Sequence, residues 1–368
     1  MGVTASLERL ESPTAAEIVL SGRKVINFAG STYLGIASDP MLIGAAERAL
    51  RQYGARAHLP RHYGVVTQPQ IDVEEESTRF FATSSAIYLA SGYLLGLTVL
   101  TGLRDRYDIV LLDENAHYSL RDAAGASGAG VRIFAHLDTD ALAAELQRAH
   151  HSGQRAIVAV DGICPTFGSL PHLDVYADLV NQYNGLLFVD ESHSFGTLGS
   201  NGRGALEECG LPPDSVLCGG SLGKAFCAAG AVITGAPADI IPLRAAPCIR
   251  GSSWGMVAGA AMAAESLRLA RARPALRAAL QGNVSRLKSG LRKLGLEIED
   301  TPAPLAAFVA GSASNMRQLR QRLLEEDLFV LHSNYPSAGP DGAIRCSIFA
   351  DHTDEHIDRL LHALRRFL

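Results

Sequence analysis

Lys224 closes the run Ser221-Leu222-Gly223-Lys224 directly after an apolar stretch, and upstream a second apolar stretch, Leu186 to Val189, ends in an acid, Asp190. A lysine behind a glycine says little alone. Paired with a carboxylate at the tip of a neighbouring buried strand, it offers what pyridoxal phosphate chemistry needs: an amine for a Schiff base and an acid for the pyridine nitrogen. An ionised Asp190 beside that nitrogen keeps it protonated, so the ring accepts the electrons of a carbanion formed at a substrate Cα. Three residues on, His193 is placed to donate to the ring's phenolate oxygen or to a substrate carboxylate. Its plainer reading is a capping histidine just past the end of the strand.

Ser221 and Lys224 are spaced so that a turn points the hydroxyl at a phosphate and the amine at an aldehyde carbon. The buried text on both sides, Val216 to Gly220 and Ala228 to Val232, argues against a surface lysine, because a buried amine is paired, shifted or used. Ser91-Gly92-Tyr93 opens a helix after an apolar strand, where free N–H groups and the helix dipole attract a phosphate. His117 comes after the strand ending at Asp113, and its flat imidazole is suited to stack on a pyridine ring or to cap the next helix. Arg345 is suited either to clamp a carboxylate with two parallel hydrogen bonds or to pair at the surface.

The elements that must position these residues recur between residues 86 and 235. Seven short apolar runs, Ala86–Ser91, Asp108–Asp113, Val131–His136, Ala156–Asp161, Gly185–Asp190, Ser215–Gly220 and Gly230–Gly235, read as strands. They are continuously apolar rather than alternating, the pattern of a mostly parallel sheet covered on both faces. Helical patterns such as Asp138 to His150 fit between them, which predicts an α/β domain wound on both sides. Ligands in such sheets sit at the carboxyl ends of strands, and those ends carry Ser91-Gly92, Asp113, His136, Asp161-Gly162, Asp190 and Gly220-Ser221. Beyond residue 255 the texture changes to amphipathic helices, with Leu276, Leu280, Val284, Leu287, Leu291 and Leu294 along one face. Strands at 306–310 and 344–349 and helices at 316–324 and 354–367 complete a smaller α+β domain. The division expected is an N-terminal segment 1–38, a large domain 39–255 and a small domain 256–368.

The chain has 368 residues, 47% hydrophobic and 19% charged, with a net charge of −5. That is too long for one ordinary core, and poor in surface charge, which suggests a subunit interface. No basic run supports nucleic-acid binding. The six cysteines, Cys164, Cys209, Cys218, Cys227, Cys248 and Cys346, show no CxxC pair and read as buried thiols in a reducing compartment, with no metal site. No apolar run reaches the ~18 residues of a membrane span, and no signal peptide opens the sequence. Met1-Gly2 through Ser6 matches a myristoylation pattern without the basic patch that stable anchoring needs. The cytoplasm is the expected location.

Taken in order, these segments resemble the α-oxoamine synthase family of fold-type-I pyridoxal phosphate enzymes, nearest in wording to its serine palmitoyltransferase and 8-amino-7-oxononanoate synthase branches. The resemblance begins at Ile26 to Gly35, which resembles the family's NFxxxxYLG opening. It runs through Ser91-Gly92-Tyr93, His117 to Leu120, Phe134 to Asp138, Asp190 to Gly196, Leu198 to Gly204 and Ser221 to Lys224, and closes with Ile344-Arg345 and Ala350 to Thr353. It implies that Lys224 carries the cofactor, Asp190 pairs with the pyridine nitrogen, His117 stacks on the ring and His193 bonds the ring oxygen. Ser221 then stands where the family binds phosphate, Ser252 near the pair that reaches the partner subunit's phosphate, and Arg345 where it holds the amino-acid carboxylate. Two segments depart: Tyr53 to Gly64 replaces a glycine-rich loop, and Pro165-Thr166-Phe167-Gly168 replaces an SMDG stretch.

The resemblance implies a homodimeric acyltransferase performing a decarboxylating Claisen condensation of serine, glycine or alanine with an acyl-CoA or acyl-carrier-protein thioester. The products are an α-aminoketone, CO2 and free thiol. The two departing segments keep open a transamination or an aldol or Mannich-type reaction on the same cofactor, and a non-catalytic partner subunit is a third alternative.

Overall fold

The computed structural model describes residues 8–55, 61–251, 255–335 and 337–368. It begins with a hairpin, β1 (Glu17–Leu20) and β2 (Arg23–Asn27), whose two-residue turn has both Ser21 (φ 47°) and Gly22 (φ 78°) in the left-handed region. That twist is the one that matches paired strands.

Among the described residues seven strands then form the central sheet. They are β3 (Ser85–Leu89), β4 (Ile109–Asp113), β5 (Gly130–Phe134), β6 (Ala156–Asp161), β7 (Leu186–Asp190), β8 (Leu217–Ser221) and β9 (Ala231–Gly235). The order across the sheet is β3-β9-β8-β7-β6-β4-β5, with β9 antiparallel to both neighbours and the others parallel. All seven expected strands are present, β6 with its expected bounds and the others with ends displaced by at most two residues.

The continuous apolar runs are explained by packing on both faces. Ile157 and Ala159 of β6 face a core with Leu95, Val99 and Leu120, while Val158 and Val160 face one with Leu142, Tyr176 and Leu267. Edge strand β5 departs from this expectation. Val131 and Ile133 are 41% and 49% exposed, whereas β3 at the opposite edge, which likewise has one strand neighbour, is buried. The reading of all six cysteines as buried also needs correction: Cys164, Cys218 and Cys346 are, whereas Cys209, Cys227 and Cys248 are partly exposed.

The C-terminal part contains β10 (Leu305–Phe308), β11 (Leu328–Phe329), β12 (Leu331–Ser333) and β13 (Ala343–Ser347). The expected strands at 306–310 and 344–349 are β10 and β13, which pair antiparallel, and β12 joins the other side of β13. The helices span Ala275–Lys293, Ala313–Glu325 and Asp354–Phe367. The second begins three residues before the expected start because Ser312 and Asn315 form a reciprocal cap. Strands β11 and β12, of two and three residues, are too short to announce themselves by periodicity.

Their pairing ties the two ends of the chain together. β11 adds in parallel to β2, Ser347 donates from its backbone to Phe28 O at 2.7 Å and from its hydroxyl to Gly30 O at 2.7 Å, and Ala350 N donates to Tyr33 O at 2.8 Å. The stretch from Gly30 to Tyr33 is thereby held between β13 and the tips of the central sheet.

Candidate active site

Two acids stand side by side at the carboxyl edge of the sheet, because Asp161 of β6 and Asp190 of β7 are register partners. Asp190 is buried and its Oδ1 accepts from Ser192 N at 2.9 Å. Asp161 accepts from His117 N at 2.9 Å. Burial, followed by the neighbouring Asp190 charge, holds the Asp161 carboxyl well above the usual carboxylate range.

Lys224 lies in the turn between β8 and β9, closed by Leu222 N to Gly230 O and Ala228 N to Leu222 O, both 2.9 Å. Burial pushes its ammonium down to about 8, while Asp190 and Asp161 pull the other way. Ser221, the last residue of β8, donates from its backbone to Ser192 Oγ at 3.0 Å, and its own hydroxyl accepts from Gly223 N at 3.2 Å. Gly92 is required opposite it: a Cβ there would stand 2.8 Å from Ser221 Cβ. Ser91-Gly92-Tyr93, leading into the helix Leu94–Gly102, is thus brought directly against Ser221.

His117 both caps and lines. Its Nδ1 accepts from Ser119 N at 3.1 Å at the start of the helix Tyr118–Ala126, with Ser119 Oγ 2.7 Å away. Its Nε2 is 2.9 Å from the Tyr335 hydroxyl. Burial lowers the imidazole below its ordinary value. His193 is buried, its Nδ1 lies 2.7 Å from the Tyr33 hydroxyl, and burial followed by the Lys224 charge keeps it well below its ordinary value.

Arg345, on β13, is buried without an ion pair among the described residues, and its Nε has no hydrogen-bond partner. Surface pairing is therefore not its role. A guanidinium in that state calls for an anion. It lies beside the Tyr33 phenol, which burial pushes up to about 12 against the pull of Arg345.

A cavity of about 240 Å³ gathers these groups, lined by Gly30, Ser31, His117, Pro165, His193, Lys224, Leu331, Ser333, Tyr335 and Arg345. Four of the residues singled out from sequence, Lys224, His117, His193 and Arg345, line it directly. Asp190 lies behind it and acts electrostatically on Lys224 and His117, while Ser91, Gly92, Tyr93 and Ser221 lie beside it, outside the lining. Ser252 and residues 56–60 of the departing loop fall outside the described residues. Sequence reasoning missed Tyr335 and the parts played by Tyr33 and Asp161. The last two had signals, Tyr33 as the tyrosine of the NFxxxxYLG-like opening and Asp161 by its place at a strand tip. Among the described residues no cluster of side chains could hold a metal ion. The wall thus offers an amine of lowered basicity, two neutral imidazoles and a guanidinium without an ion pair among the described residues, with a buried acid behind it.

A family model for aminotransferase class I and II matches residues 23–364. The 8-amino-7-oxononanoate synthase of Thioalkalivibrio sulfidiphilus is 35% identical over 369 residues, covering 99% of this chain and 94% of that protein. The serine palmitoyltransferase of Sphingomonas wittichii superposes with a TM-score of 0.92 at 26% identity, over 98% of this chain and 91% of that one. A high-resolution structure of SPT with PLP internal aldimine gives a TM-score of 0.92 at 25% identity, over 98% and 92%. With its mostly parallel seven-stranded sheet and its smaller C-terminal sheet, the chain belongs to the aminotransferase class I and II family.

Proposed function

We propose that the protein is a pyridoxal phosphate-dependent acyltransferase that condenses serine, glycine or alanine with an acyl thioester, giving an α-aminoketone, CO2 and free thiol. The observation that carries this reading is the coexistence, in one cavity, of the Lys224 amine and the unpaired Arg345 guanidinium, with Asp190 buried behind them. The residues fit pyridoxal phosphate. Lys224 would provide the attachment amine, Asp190 would pair with the pyridine nitrogen, and His117 would stack on the ring. His193 would bond the ring oxygen, and Ser221 with Ser91-Gly92-Tyr93 would take the phosphate. Ser252 is assigned to the phosphate of the partner subunit.

When bound, the cofactor supplies an electron sink for a carbanion at the amino-acid Cα. The rest falls to the chain. Arg345 holds the amino-acid carboxylate through paired charge-assisted bonds. Lys224, with its ammonium at about 8, has a neutral fraction near neutral pH and takes the Cα proton as general base. Asp190 would keep a proton on the pyridine nitrogen, and His193, held by Tyr33, stays neutral and oriented.

The same proposal takes the large domain as 39–255 and the small domain as 256–368, with segment 1–38 working alongside the latter through β2 and β11. It takes the working unit as a homodimer and the cytoplasm as its location. Pro165, from the segment that departs from the family pattern, lines the cavity and favours transamination or an aldol or Mannich-type reaction as the second reading. Holoenzyme incubated with each amino acid and a range of acyl-CoA and acyl-carrier-protein donors distinguishes the two. Thiol release that depends on an amino acid is expected. Its absence with every donor, together with amino transfer to a keto acid, overturns the condensation.

A further inference from the structure

Tyr335 reaches across the cavity from the loop after β12 and closes on His117, a residue of the opposite wall. Its ring centroid is 5.6 Å from that of His117, and 5.3 Å from that of Tyr118 in an edge-on arrangement. The direction of the hydrogen bond between Tyr335 and His117 is fixed by the other end of the imidazole. Nδ1 accepts from the backbone N–H of Ser119, so it carries no proton. A neutral imidazole then has its proton on Nε2. Nε2–H therefore donates to the Tyr335 oxygen, and the phenolic proton is left pointing elsewhere, with no acceptor among the described residues.

The cavity that Tyr335 lines contains two other strong donors, Lys224 and Arg345. In a condensation of the kind proposed above, Arg345 is committed to the fixed charge of the amino-acid carboxylate and Lys224 to proton transfer. The remaining demand is the carbonyl oxygen of the acyl donor. As the Cα–C bond forms, the carbonyl π electrons move onto that oxygen, and as they return the C–S bond breaks and the thiolate leaves.

We propose that Tyr335 is a further catalytic residue, whose O–H, oriented by His117, donates to the thioester carbonyl oxygen and stabilises the charge that develops there. The proton stays on the phenol throughout, and the residue acts as a preorganised donor. Burial raises the phenol above its ordinary value, which keeps it protonated across the working range.

The role rests on the condensation reading, and the experiment separates the two. Wild-type and Tyr335→Phe holoenzymes are compared with glycine, L-alanine and L-serine in two assays: loss of the Cα proton signal in D2O without any acyl donor, and thiol release with hexanoyl-CoA or palmitoyl-CoA. Amino-acid affinity is followed by spectral titration. The expected result is thiol release lowered about 100-fold, with Cα exchange and amino-acid affinity kept within about twofold. Exchange that falls by the same factor as thiol release overturns the proposal, because Tyr335 would then only brace His117. Unchanged thiol release overturns it as well. Wild-type enzyme that exchanges the Cα proton but releases no thiol with any donor rejects the condensation itself, and the role of Tyr335 with it.

Discussion

Lys224 is governed by opposing influences of known sign: burial favours its neutral amine, and Asp190 and Asp161 favour the ammonium. Burial wins, and the balance near 8 sets a measurable threshold. Below it the ammonium prevails and cannot attack a carbonyl; above it the amine is free. The rate at which apoprotein captures pyridoxal phosphate, followed by absorbance, is expected to rise with pH up to about 8 and then level off. Lys224→Arg is expected to abolish the capture. A rate that is flat from pH 6, or that still climbs at pH 10, would contradict the assignment. Lys224 and Asp190 were legible in the sequence because each closes an apolar run, a position where an ionisable side chain needs a reason. Arg345 was open in the sequence between a carboxylate clamp and a surface pair, and the resemblance favoured the clamp, since the residues around it do not show on which side of β13 its guanidinium lies. Tyr335 left no trace: a tyrosine in a loop has no periodicity, and its partner His117 is far away in the sequence.

At the scale of elements, the seven strands were readable because burial on both faces leaves an unbroken apolar run. β2, β11 and β12 were not, because their pairing partners lie at the opposite end of the chain or across a loop. One buried side chain fastens this non-local arrangement. His352 is stacked between Phe28, centroids 4.4 Å apart, and Phe349, 5.1 Å apart. Its Nδ1 accepts from Phe349 N at 3.0 Å and its Nε2 donates to Asn27 O at 3.0 Å. Burial pushes it down to about 3. The unfolded chain, with an ordinary histidine near 6.5, therefore binds the proton more readily, and stability falls as pH drops below about 6.5. At pH 5 this amounts to about 2 kcal/mol. Urea unfolding at pH 7 and pH 5 is expected to show His352→Gln losing about 2 kcal/mol less than wild type over that interval, whatever its stability at pH 7. Equal losses in the two proteins would remove His352 from the account.

At the scale of the molecule, an apolar surface is left uncovered around the short helix Arg61–Tyr63, which packs against Pro247–Arg250. Tyr63 is 71% exposed, and Val65 and Val66 beside it are exposed too. Such a patch suits a subunit interface. Tyr63→Asp is expected to shift the protein to monomer in sedimentation equilibrium and to weaken cofactor binding, with the circular dichroism spectrum retained; a wild-type protein that is monomeric and fully active would refute the dimer.

The cavity wall has three sources. One side comes from the turns and loops at the tips of the central sheet, a second part from Gly30 and Ser31 after β2, and the rest from residues 331–345. This division shapes how the protein can diverge. Substitutions within 331–345 that spare Tyr335 and Arg345 alter what is recognised while leaving the groups that handle protons and developing charge untouched, so a lineage can change its substrate by drift in the rest of one hairpin and inherit its reaction type unchanged.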